Sequence, residues 1–251
     1  MRSGSFYDKL AELSNHMYQN PTKDFKDWKF IDSFTDNTGL YVSLFDTGKE
    51  IIFSVKGTDI FKGNGIKVDF KADISLFKNE IPSQIDSADK YYQTISEKYS
   101  NIIFTGYSLG GSIVQALGTR YGKETVTFEA FAVGSFEKAQ NTSNIINFGS
   151  LLDPIFKADL SNHIGDVYAI PSIMDNKTMG NLFKHTYFFF GKPSTAKKID
   201  KNIDIRSIYK DTKAIENTAK YIKQGITAKA DYINKSAKEL TQKTYNKLMK
   251  K

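Results

Sequence analysis

The sequence predicts an α/β fold with a mostly parallel central sheet. Apolar, β-prone runs alternate with segments of helical spacing over the first 191 residues, and this alternation is typical of parallel strands joined by helices. The run at 101–105 is apolar throughout most of its length, as expected of a strand buried on both faces. A chain of 251 residues with 40% hydrophobic residues can bury a core of the size that this fold needs.

The predicted elements follow a simple order. We predict helices at 6–18, 86–99 and 112–117, and strands at 29–34, 40–45, 50–55, 101–105, 125–135 and 144–149. Turn residues separate the first three strands, which therefore form a meander leading into the main sheet. In sheets of this kind the chemistry lies beyond the carboxyl ends of the strands.

A G-x-S-x-G sequence follows the strand at 101–105. It reads Gly106-Tyr107-Ser108-Leu109-Gly110 and precedes a predicted helix, so it has the strand–turn–helix context of the nucleophile elbow in α/β-hydrolases. The turn of such an elbow is strained, and its glycines let neighbouring backbone pass close to an exposed serine hydroxyl. Ser108 is therefore the candidate nucleophile.

A serine nucleophile needs a base, and the base needs an orienting carboxylate. The chain order in α/β-hydrolases is serine, acid, histidine, which excludes His16. Asp153 follows a predicted strand and precedes Pro154, a position that suits the acid but is also common for a turn aspartate. His163 and His185 both follow Asp153, and their spacing does not separate them.

Two stretches after the strand at 50–55 bear on substrate binding. Gly57 and Thr58 end that strand, where an oxyanion loop would lie. The segment 60–70 is apolar and contains two glycines. It suits either a mobile lid with an apolar inner face or an ordinary surface loop.

Six short motifs between about residues 6 and 191 resemble, in order, those of the fungal-type (class 3) lipase family. They lie at 55–58, 106–111, 131–135, 152–155, 163–168 and 185–188. The elbow at 106–111 is the most specific of them. Lys56 stands where the family usually has arginine, and the segment between acid and histidine is compact.

The resemblance implies a catalytic triad and an oxyanion hole. The triad would be Ser108, Asp153 and His185, whereas His163 would not be catalytic. The oxyanion donors would be the backbone N–H groups of Thr58 and Leu109, with the Thr58 hydroxyl as a third donor supported by Asp73.

The same resemblance implies hydrolysis of lipid or phospholipid carboxylic esters through an acyl-enzyme intermediate, with no metal or organic cofactor. An esterase for small soluble esters and a non-catalytic α/β-hydrolase scaffold that binds a partner remain the alternatives.

The chain divides by charge into a hydrolase domain at 1–191 and a Lys-rich tail at 192–251. The tail has 16 basic and 6 acidic residues, a net charge of +10, whereas the rest has 19 basic and 22 acidic residues. Apolar residues three and four apart from about 211 onwards predict a basic amphipathic helix. It suits an anionic membrane surface, with packing on the body or coiled-coil pairing as alternatives, and no nucleic acid partner is expected.

Composition also bears on the compartment. The chain has no cysteine, which excludes disulfides and thiolate metal sites. Its first nine residues lack the apolar core of a signal peptide, and no apolar run is long enough to span a membrane. We therefore expect a cytoplasmic protein, with export independent of a signal peptide as the alternative.

Overall fold

The computed structural model describes residues 2–57, 70–135, 137–150, 153–157, 160–170 and 192–201. All of these residues belong to one compact unit. Within them, eight strands form one sheet in sequence order: β1 (Lys29–Thr35), β2 (Tyr41–Asp46), β3 (Ile51–Val55), β4 (Ile102–Tyr107), β5 (Thr125–Phe128), β6 (Ile145–Gly149), β7 (Asp166–Ala169) and β8 (Lys197–Ile199).

The sheet is mostly parallel, as the sequence predicts. Strands β3 to β7 pair in parallel. The antiparallel meander β1–β2–β3 lies at one edge, and β8 pairs antiparallel to β7 at the other. The carboxyl ends of the five parallel strands therefore meet along one edge of the sheet.

Helices α1 (Gly4–Gln19), α2 (Phe70–Ser96), α3 (Leu109–Tyr121) and the short α4 (Pro154–Lys157) accompany the sheet. The Ser3 hydroxyl caps α1 by accepting a hydrogen bond from the Phe6 N–H at 3.3 Å. Helix α3 ends at Gly122, whose φ of 62° is the left-handed conformation common at helix ends. No helix in the part of the chain that the structure describes is long and apolar enough to cross a membrane.

Alternation along the strands divides the core between the two faces of the sheet. Ile51, Phe53 and Val55 point towards the cluster that contains α2 and α3. Ile52 points to the opposite cluster, which contains apolar residues of α1. Because successive side chains of a strand point to opposite faces, a continuous apolar run such as β3 supplies both clusters.

Several predicted boundaries differ in the structure; helix α3, for example, runs over Leu109–Tyr121 rather than 112–117. Helix α2 begins at Phe70 rather than at 86 and continues through Pro82. Strand β5 ends at Phe128 rather than at 135, because Glu129 has a φ of 47°, outside the β region. Residues 192–201, assigned by charge to the tail, contain a 3-10 helix and β8. The remaining tail and the lid candidate up to residue 69 lie outside the described residues.

Candidate active site

Four chain segments leave the sheet at the same edge. Gly57 follows β3, Ser108 follows β4, Glu129 follows β5 and Asp153 follows β6 by a short loop. Since these four strands are parallel neighbours, the structure brings the predicted nucleophile, the predicted acid and the start of the predicted oxyanion loop to one edge.

Ser108 adopts the strained conformation expected of a nucleophile elbow. It lies between β4 and α3 with φ 55° and ψ −125°, a region that non-glycine residues rarely occupy. Its N–H donates to the Phe128 carbonyl at 2.9 Å, and its carbonyl accepts from the Ser112 N–H at 3.1 Å. The backbone of the elbow is thus fixed by β5 on one side and by the first turn of α3 on the other.

Close backbone packing explains the glycines of the elbow. A Cβ at Gly106 would overlap the Gly110 carbonyl and lie 2.7 Å from the Gly111 nitrogen. A Cβ at Gly110 would overlap the Val55 carbonyl oxygen and lie 2.7 Å from its carbon. Strand β3, strand β4 and the start of α3 can approach this closely only because both positions lack a side chain.

Ser108 is less exposed than its place in a sharp turn suggests. Its relative exposure is 2%. The backbone of Gly57 lies against it, since a Cβ there would be 3.2 Å from the Ser108 Cβ and 2.5 Å from the Tyr18 hydroxyl. Tyr18 also lies under Lys56, whose Nζ is 5.1 Å from the centre of the tyrosine ring. Residues from α1 and the β3 end therefore crowd the serine.

Asp153 is fully buried and directly precedes α4. Its Oδ1 accepts hydrogen bonds from the N–H groups of Ile155 at 2.7 Å and Phe156 at 2.9 Å. Its own N–H donates to the Ser150 carbonyl at 2.9 Å. The carboxylate thus caps a helix, and these bonds fix the orientation of its loop.

Glu129 is a buried carboxyl that the sequence predictions miss. Both of its carboxyl oxygens lie 3.0 Å from the Ser150 nitrogen, whose N–H they share as acceptors. Burial raises the pKa of Glu129 well above its ordinary value, and the neighbouring negative charge of Asp153 raises it further. No sequence signal marks it, because the predicted strand at 125–135 runs through this position.

His163 lies in a buried polar network, and both of its ring nitrogens have partners. Nδ1 is 3.1 Å from Gln115 Nε2, and Nε2 is 3.3 Å from the Phe156 carbonyl oxygen. Because a carbonyl only accepts, Nε2 carries the proton and Nδ1 accepts from the amide. Gln115 also donates to Asn147 at 2.7 Å, which ties the ring to β6. Burial lowers the pKa of His163 to about 4.

The structure describes only part of the predicted oxyanion hole and triad. Leu109 is the first residue of α3, where N–H groups have no acceptor within the helix. Thr58 and His185 lie outside the described residues. Asp73 falls in the first turn of α2, and its side chain is likewise outside them.

The fold and the elbow together define the class. A strained serine between a parallel strand and a buried helix, with a carboxyl after a neighbouring strand, is the arrangement of an α/β-hydrolase. The chain is also similar to known proteins.

Curated fungal proteins show sequence similarity to the chain, whereas no protein-family model matches it. The chain is 31% identical over 97 residues to the putative lipase ATG15 of Candida albicans, a match that covers 30% of this chain. It is 33% identical over 89 residues to the putative lipase ATG15 of Meyerozyma guilliermondii, covering 27% of this chain. In each case the match spans 16% of the relative's own length.

Structural similarity extends over more of the chain. The fold matches the crystal structure of a triacylglycerol lipase from Penicillium expansum with a TM-score of 0.52 and 15% identity, covering 78% of this chain and 83% of that one. At this identity the match shows the α/β-hydrolase fold. Together the three similarities confirm the resemblance to fungal-type lipases that the sequence motifs indicate.

Proposed function

We propose that this protein is a serine ester hydrolase of lipase type that acts on lipid carboxylic esters. The observation that carries the proposal is the backbone geometry of Ser108, with φ 55° and ψ −125°. Ser108 lies at the carboxyl ends of the parallel strands, and Asp153 lies at the same edge of the sheet. The names of the similar proteins, putative lipases and a triacylglycerol lipase, point to the same reaction.

The proposed nucleophile is Ser108 and the proposed base is His185. In the first step the Ser108 hydroxyl oxygen attacks the ester carbonyl carbon while its proton passes to His185. Collapse of the tetrahedral intermediate breaks the bond to the alcohol, which leaves with that proton. Water, activated by the same histidine, then releases the fatty acid and restores the serine. Asp153 would orient the imidazole and stabilise its protonated form.

The developing negative charge on the carbonyl oxygen needs hydrogen-bond donors. We assign this role to the backbone N–H groups of Leu109 and Thr58, with the Thr58 hydroxyl as a third donor that Asp73 orients. One such donor typically contributes about 10²–10³ in rate. The position of Leu109 at the start of α3 suits this role, because the dipole of the helix also favours negative charge there.

The choice of His185 rests on chain order, on the family resemblance and on the surroundings of His163. His163 has 1% relative exposure, and its two ring nitrogens already contact Gln115 and the Phe156 carbonyl. A base must be free to exchange a proton with serine and leaving group, and these contacts favour a structural role for His163. His16 precedes the serine and contacts the Lys23 carbonyl at 2.9 Å.

We further propose a lipid or phospholipid ester as substrate, with the basic tail as a contact to anionic lipid surfaces. Residues 202–251, beyond β8, have 12 basic and 5 acidic residues, a net charge of +7. This charge supports the second part, because each lysine near such a surface contributes up to about 1 kcal/mol. An esterase for small soluble esters is the competing outcome.

A hydrolysis panel tests the proposal. Short- and long-chain esters, triacylglycerol emulsions and phospholipid vesicles are offered to the full chain and to Ser108→Ala. We expect the wild type to prefer long acyl chains and the variant to lose at least about 10³-fold in kcat. Preference for short soluble esters would support the competing esterase, and activity that survives Ser108→Ala would refute the proposed nucleophile.

Ser112→Ala is the matched control for that panel. Ser112 is a buried serine one helical turn later, and its hydroxyl donates to the Phe131 carbonyl at 2.8 Å. Its loss should cost about 1–3 kcal/mol of stability but should leave the attacking atom in place. Residual activity in Ser112→Ala beside none in Ser108→Ala would separate loss of the nucleophile from loss of the fold.

A further inference from the structure

Glu129 is a buried carboxyl for which the proposed mechanism has no role. Its relative exposure is 2%, and it directly follows β5, between the strand that carries Ser108 and the strand that leads to Asp153. Its N–H donates to the Phe148 carbonyl at 2.9 Å, which extends the pairing of β5 with β6 by one residue. Its side chain then turns towards the loop after β6.

The backbone of Glu129 is strained, which argues that the side chain is needed. Its φ of 47° lies in the left-handed region, where glycine is favoured and a glutamate is rare. A strained residue persists only where surrounding interactions fix it, and such residues concentrate at functional sites. Here the fixing interaction is the contact of both carboxyl oxygens with the Ser150 N–H at 3.0 Å.

A chain of hydrogen bonds runs from Glu129 to the predicted acid. The Glu129 carboxyl accepts from the Ser150 N–H, and the Ser150 carbonyl accepts from the Asp153 N–H at 2.9 Å. We propose that Glu129 is a positioning residue, whose carboxyl fixes the Ser150 turn and thereby holds Asp153 in place for the histidine. This inference rests on the proposed function, since it assumes that Asp153 is the acid of the triad.

The surroundings of Glu129 favour the protonated form of its carboxyl. Two titratable groups interact with it: Asp153, from the loop after β6, and Tyr107, from the end of β4. Burial raises the pKa of Glu129, and the negative charge of Asp153 raises it further. Burial also raises the pKa of Tyr107, with smaller contributions from Glu129 and then Asp153. The raised pKa means that Glu129 keeps its proton to a higher pH than an exposed glutamic acid does.

Two substitutions at Glu129 test the inference. Glu129→Gln keeps an oxygen for the Ser150 N–H and replaces the acid hydroxyl by an amide, so we expect kcat within about threefold of the wild type. Glu129→Gly removes the anchor but relieves the backbone strain. We expect it to fold with an unchanged or higher Tm and yet to lose about tenfold in kcat, with KM little changed.

The wild type, Glu129→Gln, Glu129→Gly and Asp153→Asn are compared in kcat, in Tm and in the rate at which a fluorophosphonate labels Ser108. Wild-type kcat and labelling in Glu129→Gly would overturn the positioning role. A loss in Glu129→Gln as large as that in Asp153→Asn would also overturn it, because Glu129 would then be the acid itself. If Glu129→Gly does not fold, the comparison of Glu129→Gln with Asp153→Asn decides.

The pH dependence of the Tm tests the inference without relying on enzyme activity. A carboxyl with a raised pKa in the folded state stabilises the protein fully below its unfolded pKa, near 4.5, and loses this contribution as the pH rises. The Tm of Glu129→Gln relative to the wild type should therefore increase as the pH rises above about 4.5. A constant difference would refute the neutral form of Glu129. If the wild type neither reacts with the fluorophosphonate nor hydrolyses any ester, the proposed function is refuted. This outcome is distinct from a failure of the positioning role of Glu129.

Discussion

Replacing Gly106 by alanine tests whether close backbone packing positions Ser108. A Cβ at residue 106 would lie 2.7 Å from the Gly111 nitrogen, whereas ordinary contact begins near 3.4 Å, and it would also overlap the Gly110 carbonyl. The atoms nearest the new methyl group are backbone atoms, so the start of α3 must move by about 0.7 Å or more.

The expected cost of Gly106→Ala follows from that displacement. Overpacking of this kind costs about 1–3 kcal/mol, which corresponds to a fall in Tm of about 2–12 °C for a protein of this size. The nucleophile and Leu109 move with the start of the helix. Since a misplacement of about 1 Å can cost about 10²-fold in rate, we expect kcat/KM to fall by about that factor.

Thermal melts and ester hydrolysis measured in parallel check this prediction. Gly48→Ala is the matched control, because a Cβ there meets no atom within 4 Å although the φ is 83°. It should lower the Tm by a few degrees through backbone strain and leave kcat/KM unchanged. A Gly106→Ala protein with kcat/KM within threefold of the wild type would refute the packing argument.

Three further predictions concern His163, Thr58 and the tail. Burial lowers the pKa of His163 to about 4, so between pH 6.5 and 4 only the unfolded chain takes up this proton. The free energy of unfolding of the wild type should therefore fall by up to about 3 kcal/mol over this pH range relative to that of His163→Gln, as measured by denaturant unfolding. An equal pH dependence in both would contradict the buried neutral ring. Thr58→Val should lower kcat by about 10–10³-fold with KM little changed, and an unchanged kcat would limit Thr58 to shaping the turn. A chain ending at Lys201, which keeps β8, should retain soluble-ester activity but bind anionic liposomes more weakly at low salt, and equal binding would end the membrane proposal.

The sequence predicts the central sheet well for a physical reason. A strand buried on both faces is mostly apolar, so β3 and β4 are visible as apolar runs, broken only by Ser54 in β3 and by Thr105 and Gly106 in β4. The elbow is equally visible, because close approach of β3, β4 and α3 requires glycine at Gly106 and Gly110. Both features depend on residues that are adjacent in the chain, so they can be predicted from the sequence.

The features that the sequence did not predict either run against a local signal or depend on distant contacts. The early start of α2 requires a helix that continues through Pro82, a residue that lacks an N–H and normally ends a helix. The end of β5 and the role of Glu129 depend on Ser150, 21 residues away. No pattern in residues 125–135 indicates that partner. The sequence therefore predicts that Glu129 belongs to the strand, whereas in the structure it follows the strand.

The most direct test of the account is covalent labelling of the full chain by a fluorophosphonate, followed by mass spectrometry of the intact protein and its peptides. The account predicts one adduct per chain, located on Ser108, absent in Ser108→Ala and present in Ser112→Ala. Absence of an adduct in the folded wild type, or an adduct on another residue, would contradict the claim that Ser108 is an activated nucleophile.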